Sequence, residues 1–171
     1  MSDDIFKEFD RIFKEEMKRI RKMITELTNI SNKEWERITR LNKPVVFGFT
    51  YRWTTGMEKP EIHFFGNVKP KVPYGMSIDD KITPAYDIID KDDHYEIVIE
   101  LAGVDKENVE LKIKENKLII KAKSPYRQYE GAIPIPVDAK KDTVRAKMHN
   151  GILIVTLEKT GESKEKTIEI E

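Results

Sequence analysis

Residues 109–122 have the sequence VELKIKENKLIIKA, in which apolar and polar side chains alternate on both sides of Glu115-Asn116. If these two residues form the turn of a β-hairpin, three apolar pairs share one face. These pairs are Val109–Ala122, Leu111–Ile120 and Ile113–Leu118. The opposite face is mostly charged, as a solvated surface should be. The stretch therefore predicts a hairpin that packs one of its faces on a core.

A second hairpin is predicted around Asn150-Gly151, because this dipeptide suits the positive backbone angles of a type I′ turn. The turn again collects apolar pairs on one face: Met148–Leu153, Ala146–Val155 and Val144–Leu157. The second hairpin, like the first, therefore has a consistent register and one apolar face.

Other short strands flank these hairpins. Residues 95–101 alternate apolar and mostly charged side chains, and Ile133 and Ile135 are two residues apart between the hairpins. We interpret residues 84–158 as an all-β core, an immunoglobulin-like antiparallel β-sandwich of about seven strands.

The N-terminal segment has a different period. Apolar residues recur at spacings of three and four over residues 3–29, with charges between them, which is typical of an amphipathic helix. Pro44 disfavours helical geometry in the residue before it. Residues 1–43 are therefore predicted to form a helical N-terminal arm.

After Pro44 the period changes to two. Phe47, Phe49, Tyr51 and Trp53 fall on one face of a predicted strand, and residues 61–65 could return as its partner. Glycines and prolines then interrupt the pattern up to Gly75. Residues 44–83 are predicted to form an aromatic β-hairpin and a linker.

The composition excludes several classes of function. Lys and Arg total 31 and Asp and Glu total 31, so no net field favours nucleic acid. Charged residues make up 36% of the chain and cysteine is absent, a bias typical of thermophile proteins. The N-terminal sequence MSDDIFKEFDRIF resembles neither a signal peptide nor a membrane span, so a cytoplasmic location is expected.

No pattern for catalysis is present in the sequence. His63, His94 and His149 are far apart and lack metal-ligand spacing, and no phosphate-binding loop or nucleophile elbow occurs. We therefore predict no enzymatic activity, no cofactor and no metal site.

Residues 84–158 resemble the α-crystallin domain of small heat-shock proteins. The similarity rests on the stretches Pro84-x-x-Asp87-Ile88, 100–109 (ELAGVDKENV), Leu118-Ile119-Ile120, Ile135-Pro136 and Ala146-x-x-x-Asn150-Gly151-Ile152-Leu153. Residues 159–171 would then be a C-terminal extension, in which Ile168 and Ile170 resemble the family's Ile-x-Ile motif.

Two departures from the family pattern qualify the resemblance. Ala102 occupies a position where the family usually has proline. Only residues 124–130 separate two predicted strands, and seven residues span at most ~25 Å, too little for the strand exchange found in many members. Residues 44–70 resemble archaeal members that share this shortened loop.

The resemblance implies an ATP-independent chaperone that holds partly unfolded client proteins. Apolar side chains of the arm and the hairpin are the candidate surface for clients or self-association: Phe6, Phe9, Phe13, Phe47, Phe49, Tyr51 and Trp53. Alternatively, the aromatic strand face caps the sandwich or fills the centre of an oligomer, and the helix stripe is buried against another subunit.

The resemblance also implies a homo-oligomer built from dimers. Ile168 and Ile170 would anchor one subunit in a groove of another, because residues two apart on an extended segment share a face. The family's groove maps to Val109, Leu111, Ile113, Val144, Ala146 and Met148. The alternative is that the tail pairs as a final strand within its own chain.

Two other functions remain open from the sequence. One is a co-chaperone module of the CS type, although that type lacks both the Ala-x-x-x-Asn-Gly-x-Leu pattern and an Ile-x-Ile tail. The other is a self-assembling scaffold, which would use the same apolar surfaces.

Overall fold

The computed structural model describes residues 2–28, 36, 40, 45–52, 60–70 and 76–161. The chain divides into two compact units, Met1–Asp80 and Lys81–Glu171. The main elements are the helix α1 (Ser2–Thr28) and ten strands: β1 (Phe47–Arg52), β2 (Glu61–Pro70), β3 (Met76–Thr83), β4 (Tyr86–Asp90), β5 (His94–Glu100), β6 (Val109–Lys114), β7 (Lys117–Lys123), β8 (Gln128–Pro134), β9 (Arg145–His149) and β10 (Ile152–Glu158).

The first unit confirms the amphipathic helix and the aromatic hairpin. β1 pairs antiparallel with β2, and Phe49 lies directly opposite Phe64. β2 continues through Gly66, whose φ of 112° is the left-handed backbone that glycine tolerates. There the side-chain oxygen of Asn67 accepts a hydrogen bond from the Val46 N–H at 2.8 Å, and the Asn67 N–H donates to the Val46 carbonyl at 2.9 Å.

Within the segment 44–83, for which a hairpin and a linker are predicted, residues 76–83 form the strand β3 beside β2. The remaining predicted helical residues between 29 and 44 lie almost entirely outside the described residues.

The second unit confirms the predicted sandwich. One sheet has the order β4-β5-β10-β9, and the other contains β8-β7-β6, with Ile82 pairing in parallel with Tyr129 of β8. Both predicted hairpins have the expected register, for example Leu111 opposite Ile120 and Ala146 opposite Val155.

The core of this unit comes from the inner faces of both sheets. Side chains that are 0–2% exposed include Ile97, Ile99, Leu101, Leu118, Ile120, Ile133, Ile135, Leu153, Val155 and Leu157. Burying each such side chain contributes about 1.5–3 kcal/mol. The short connection between β7 and β8 is closed by Ser124, whose buried hydroxyl accepts the Arg127 N–H at 3.0 Å.

Candidate interaction surfaces

One margin of the sandwich is formed by β6, the last strand of its sheet. Val109, Leu111 and Ile113 point to the inner face, because they pair with the buried residues of β7. Those β7 partners are 0–5% exposed, whereas the three β6 side chains are only half-buried. The margin therefore presents apolar side chains that the chain's own core does not fully cover.

The other margin is formed by β9, the last strand of the facing sheet. Ala146 and Met148 pair with the buried residues Val155 and Leu153, yet Ala146 is exposed and Met148 half-buried. Val144 precedes β9 and is 39% exposed. The structure thus places three of the predicted groove residues on the edge strand β6 and three on or next to the edge strand β9.

The predicted anchor residues Ile168 and Ile170 lie outside the described residues. The segment that leads toward them is fixed at its start. The Thr160 N–H and hydroxyl donate to the Asp138 carbonyl at 2.6 and 2.8 Å, and the Lys159 N–H donates to the Asp93 carbonyl. The C-terminal extension therefore leaves the sandwich from a defined position.

A network of side chains reinforces that position. The Lys159 ammonium lies 2.5 Å from Asp90 and 4.9 Å from the ring centre of Tyr95, and the Tyr95 hydroxyl donates to Asp138 at 3.0 Å. The ion pair with Asp90 raises the pKa of Lys159, and burial followed by the Asp138 contact raises the pKa of Tyr95. This network leaves no local pattern in the sequence, because Asp138 and Lys159 are distant along the chain from Asp90 and Tyr95.

Aromatic rings join α1 to the hairpin in the first unit. Phe9 stacks on Phe13 with 5.7 Å between ring centres, and both meet Tyr51 edge-on at 6.5 and 5.7 Å. Further along the strand face, Phe64 lies 6.1 Å from Phe47 and 6.3 Å from Phe49. Part of the predicted aromatic face is therefore covered by the chain's own helix, an arrangement absent from the alternatives drawn from the sequence.

This aromatic cluster is only partly buried. Phe6 is 71% exposed, Phe64 41% and Phe13 38%. An open cleft of about 570 Å³ between α1 and the hairpin is lined by charged side chains of α1 and by five apolar residues, Ile12, Ile20, Pro60, Ile62 and Phe64. Trp53, the remaining predicted member of the surface, lies outside the described residues.

Two details show how closely the hairpin packs. The ring of Phe65 covers Gly48, where an added Cβ would approach the ring to 2.2 Å. The Tyr51 hydroxyl is buried and has no hydrogen-bond partner among the described residues. Burial, and then the negative charge of Glu16, raises the pKa of this hydroxyl.

Within the described ranges, no group of three or more His, Cys, Asp or Glu side chains is arranged to hold a metal ion. His94 lies 2.5 Å from Asp93 and 3.6 Å from Glu96. The hydrogen bond with Asp93 raises the pKa of His94. Over the same ranges, no helix is long and apolar enough to cross a bilayer.

The chain is similar to several small heat shock proteins. Small heat shock protein C2 of Rickettsia felis is 25% identical over 57% of this chain and 74% of its own length. Small heat shock protein C4 of the same organism is 29% identical over 52% of this chain and 64% of its own length. Among solved structures, HSP18.5 from E. histolytica covers 52% of this chain and 98% of its own, with 29% identity and a TM-score of 0.45.

The model of the Hsp20/alpha crystallin family matches residues 87–171. These residues span the sandwich from β4 onward and the C-terminal extension. Through these residues, the chain belongs to the Hsp20/alpha crystallin family.

Proposed function

We propose that this protein is an ATP-independent holding chaperone that binds partly unfolded proteins and prevents their aggregation. Membership of the family implies a non-enzymatic chaperone role. The observation that carries the holding mechanism is the half-exposed aromatic cluster shared by α1 and the hairpin. No ATP is needed, because apolar surface itself supplies the affinity for an unfolding client.

The cluster suits this task because its own packing is incomplete. Apolar area removed from water contributes about 25 cal/mol per Å² before the costs of association. Phe13 and Phe64 keep over a third of their surface exposed, so a client segment gains area there. Heating that loosens α1 from the hairpin would uncover Tyr51 as well, which would increase the binding surface under stress.

Assembly through the C-terminal extension is the second part of the proposal. Ile168 and Ile170 would insert their side chains between the β6 and β9 margins of a neighbouring subunit, where half-buried apolar residues lack full cover. From Gly161, the seven residues to Ile168 reach up to about 25 Å. This reach is long enough for the tail to cross to a neighbouring subunit of a homo-oligomer built from dimers.

Each of the four segments of the chain has its own role in the proposed function. Residues 1–43 and 44–83 would supply client contacts, 84–158 the scaffold, and 159–171 the link between subunits. A cytoplasmic location stays a prediction.

The holding function is tested by heating an aggregation-prone client without ATP and following light scattering. An equimolar amount of this protein should suppress the scattering, and Phe9→Ser with Phe13→Ser should weaken that suppression. Tyr126→Ser is the matched control, because Tyr126 is a 90% exposed aromatic outside the cluster. Absence of suppression by the unmodified chain would contradict the proposal and favour a scaffold or co-chaperone role.

The anchor is tested by solution mass. Replacing Ile168 and Ile170 with serine should reduce the assembly to dimers or monomers. Glu169→Ser is the control, because residue 169 points to the opposite side of an extended segment. An unchanged mass for the double variant would refute the anchor.

A further inference from the structure

We propose that the outer face of the sheet β4-β5-β10-β9 binds the same face of a second copy of this chain, across a two-fold axis parallel to β10. The centre of this face is apolar. Ile152 and Ile154 of β10 are each 37% exposed, and Val98 lies opposite Ile154 on β5. Grouped apolar side chains on an exposed face mark an interaction surface.

Charges of opposite sign flank this apolar centre. β5 carries Glu96 and Glu100 on one side of β10, and β9 carries Arg145 and Lys147 on the other. Thr156 of β10 pairs with both Glu96 and Arg145, so these three residues form one row across the sheet. This row therefore changes from acidic to basic across β10, and the neighbouring row places Val98 and Ile154 beside Lys147.

These flanking charges are largely unused within the chain. Glu100, Arg145 and Lys147 form no ion pair with any residue that the structure describes. Glu96 lies 3.6 Å from a ring nitrogen of His94, which leaves most of its carboxylate available. A partner with the reverse order of charges would neutralise both sides of the face at once.

A second copy provides this reverse order. A two-fold axis along β10 reverses the order of strands across the sheet but keeps each row at its own level, so β5 faces β9 of the second copy. Glu96 then faces Arg145 of that copy, and Ile154 faces its own equivalent. This ion pair occurs twice, whereas Lys147 faces Val98 and Glu100 faces His149 of the second copy. Stacked sheets lie about 10 Å apart and cross at about 30°, so the match is best near the axis.

The area of the face decides what kind of contact it makes. The three strands that face one another, β5, β10 and β9, are about 4.8 Å apart and about 17 Å long, so they present roughly 250 Å². A stable isolated dimer buries about 800 Å² on each partner. This face therefore acts as one of several contacts in an assembly, and cross-linking tests it more directly than total mass does.

The chain contains no cysteine, so a single introduced thiol reports only its own surroundings. Ile154→Cys in the full-length protein places two thiols on either side of the axis, and a short bismaleimide should link them into a covalent dimer on a denaturing gel. Ile119→Cys is the matched control on the outer face of β7 in the other sheet, and it should stay monomeric. No dimer from Ile154→Cys, or equal dimer from both variants, would overturn the proposal.

Charge reversal in the Ile154→Cys background tests the predicted pairing. Glu96→Arg brings two arginines together twice in the interface and should lower the cross-linked fraction roughly tenfold, about 1.4 kcal/mol. Adding Arg145→Glu should restore it. Within one chain β10 lies between these residues, and the structure shows no ion pair between them.

Glu100→Lys is the matched control, because Glu100 faces His149 rather than Arg145 or Lys147 in this arrangement. It should lower the cross-linked fraction much less than Glu96→Arg does. A Glu96→Arg/Arg145→Glu protein that keeps the original melting temperature but does not recover cross-linking would overturn the two-fold arrangement.

Discussion

The two compact units of the chain differ in how completely they bury their apolar side chains. In Lys81–Glu171, Ile97, Ile99 and Ile120 have no exposed surface. In Met1–Asp80, Phe13 and Phe64 keep 38% and 41% of theirs. Dense packing makes a structure resist change, whereas sparse packing permits local opening at low free energy. We therefore expect the sandwich to be the more rigid of the two units.

The largest expected effect comes from a substitution in the core of the sandwich. Ile120→Ala removes a fully buried side chain and should lower the free energy of unfolding by about 2–5 kcal/mol, since the core cannot collapse around the cavity. Chemical denaturation of the sandwich measures it. Ile119→Ala, on the outer face of the same strand, should cost much less. Equal losses would contradict the assignment of the two faces.

The next effect concerns the contact between α1 and the hairpin. Ile20 is 1% exposed, so Ile20→Ala should destabilise the first unit by about 2–3 kcal/mol. Hydrogen exchange of the α1 amides should accelerate, while exchange in β7 and β10 stays unchanged. Phe6→Ala is the control, because Phe6 is 71% exposed on the same helix. Faster exchange in both units would show that they open together.

A smaller effect, of opposite sign, is expected at Tyr51. Its buried hydroxyl lacks a hydrogen-bond partner among the described residues, so Tyr51→Phe should stabilise the first unit by about 1 kcal/mol. Tyr95→Phe is the matched control and should be destabilising, because the Tyr95 hydroxyl donates to Asp138. Hydrogen exchange in each unit measures both. A loss of stability on Tyr51→Phe would mean that the hydroxyl has a partner.

Much of the sandwich was predictable because two of its strand pairs, β6–β7 and β9–β10, are local hairpins. A period of two on either side of Asn150-Gly151 sets both the register and the buried face, and the pairing of Ala146 with Val155 follows directly. β3 was missed, because MSIDDKIT places adjacent aspartates in the strand and pairs through Ile82 with a distant residue. Parallel pairing of this kind leaves no turn signal in the sequence.

The candidate surfaces were predictable in composition but not in arrangement. Periodicity identified Phe9 and Phe13 as part of an apolar helix face and Tyr51 as part of an aromatic strand face. Neither pattern predicts that these two faces pack on each other. The position of β6 and β9 at sheet ends follows from strand order, which depends on long-range pairing. Asn67 shows the same limit, because a buried side-chain hydrogen bond to Val46 has no local pattern.

The smallest expected effect is a pH dependence confined to the rigid unit. Asp93 raises the pKa of His94 above its usual value, so folding favours the protonated imidazole. This contribution is fully present below the pKa of an unfolded histidine, about 6.5, and is lost as the pH rises through the folded pKa. The melting temperature of the sandwich should therefore fall slightly from about pH 6 to pH 8, and His94→Gln should flatten that slope. An unchanged slope in the variant would assign the dependence to other groups.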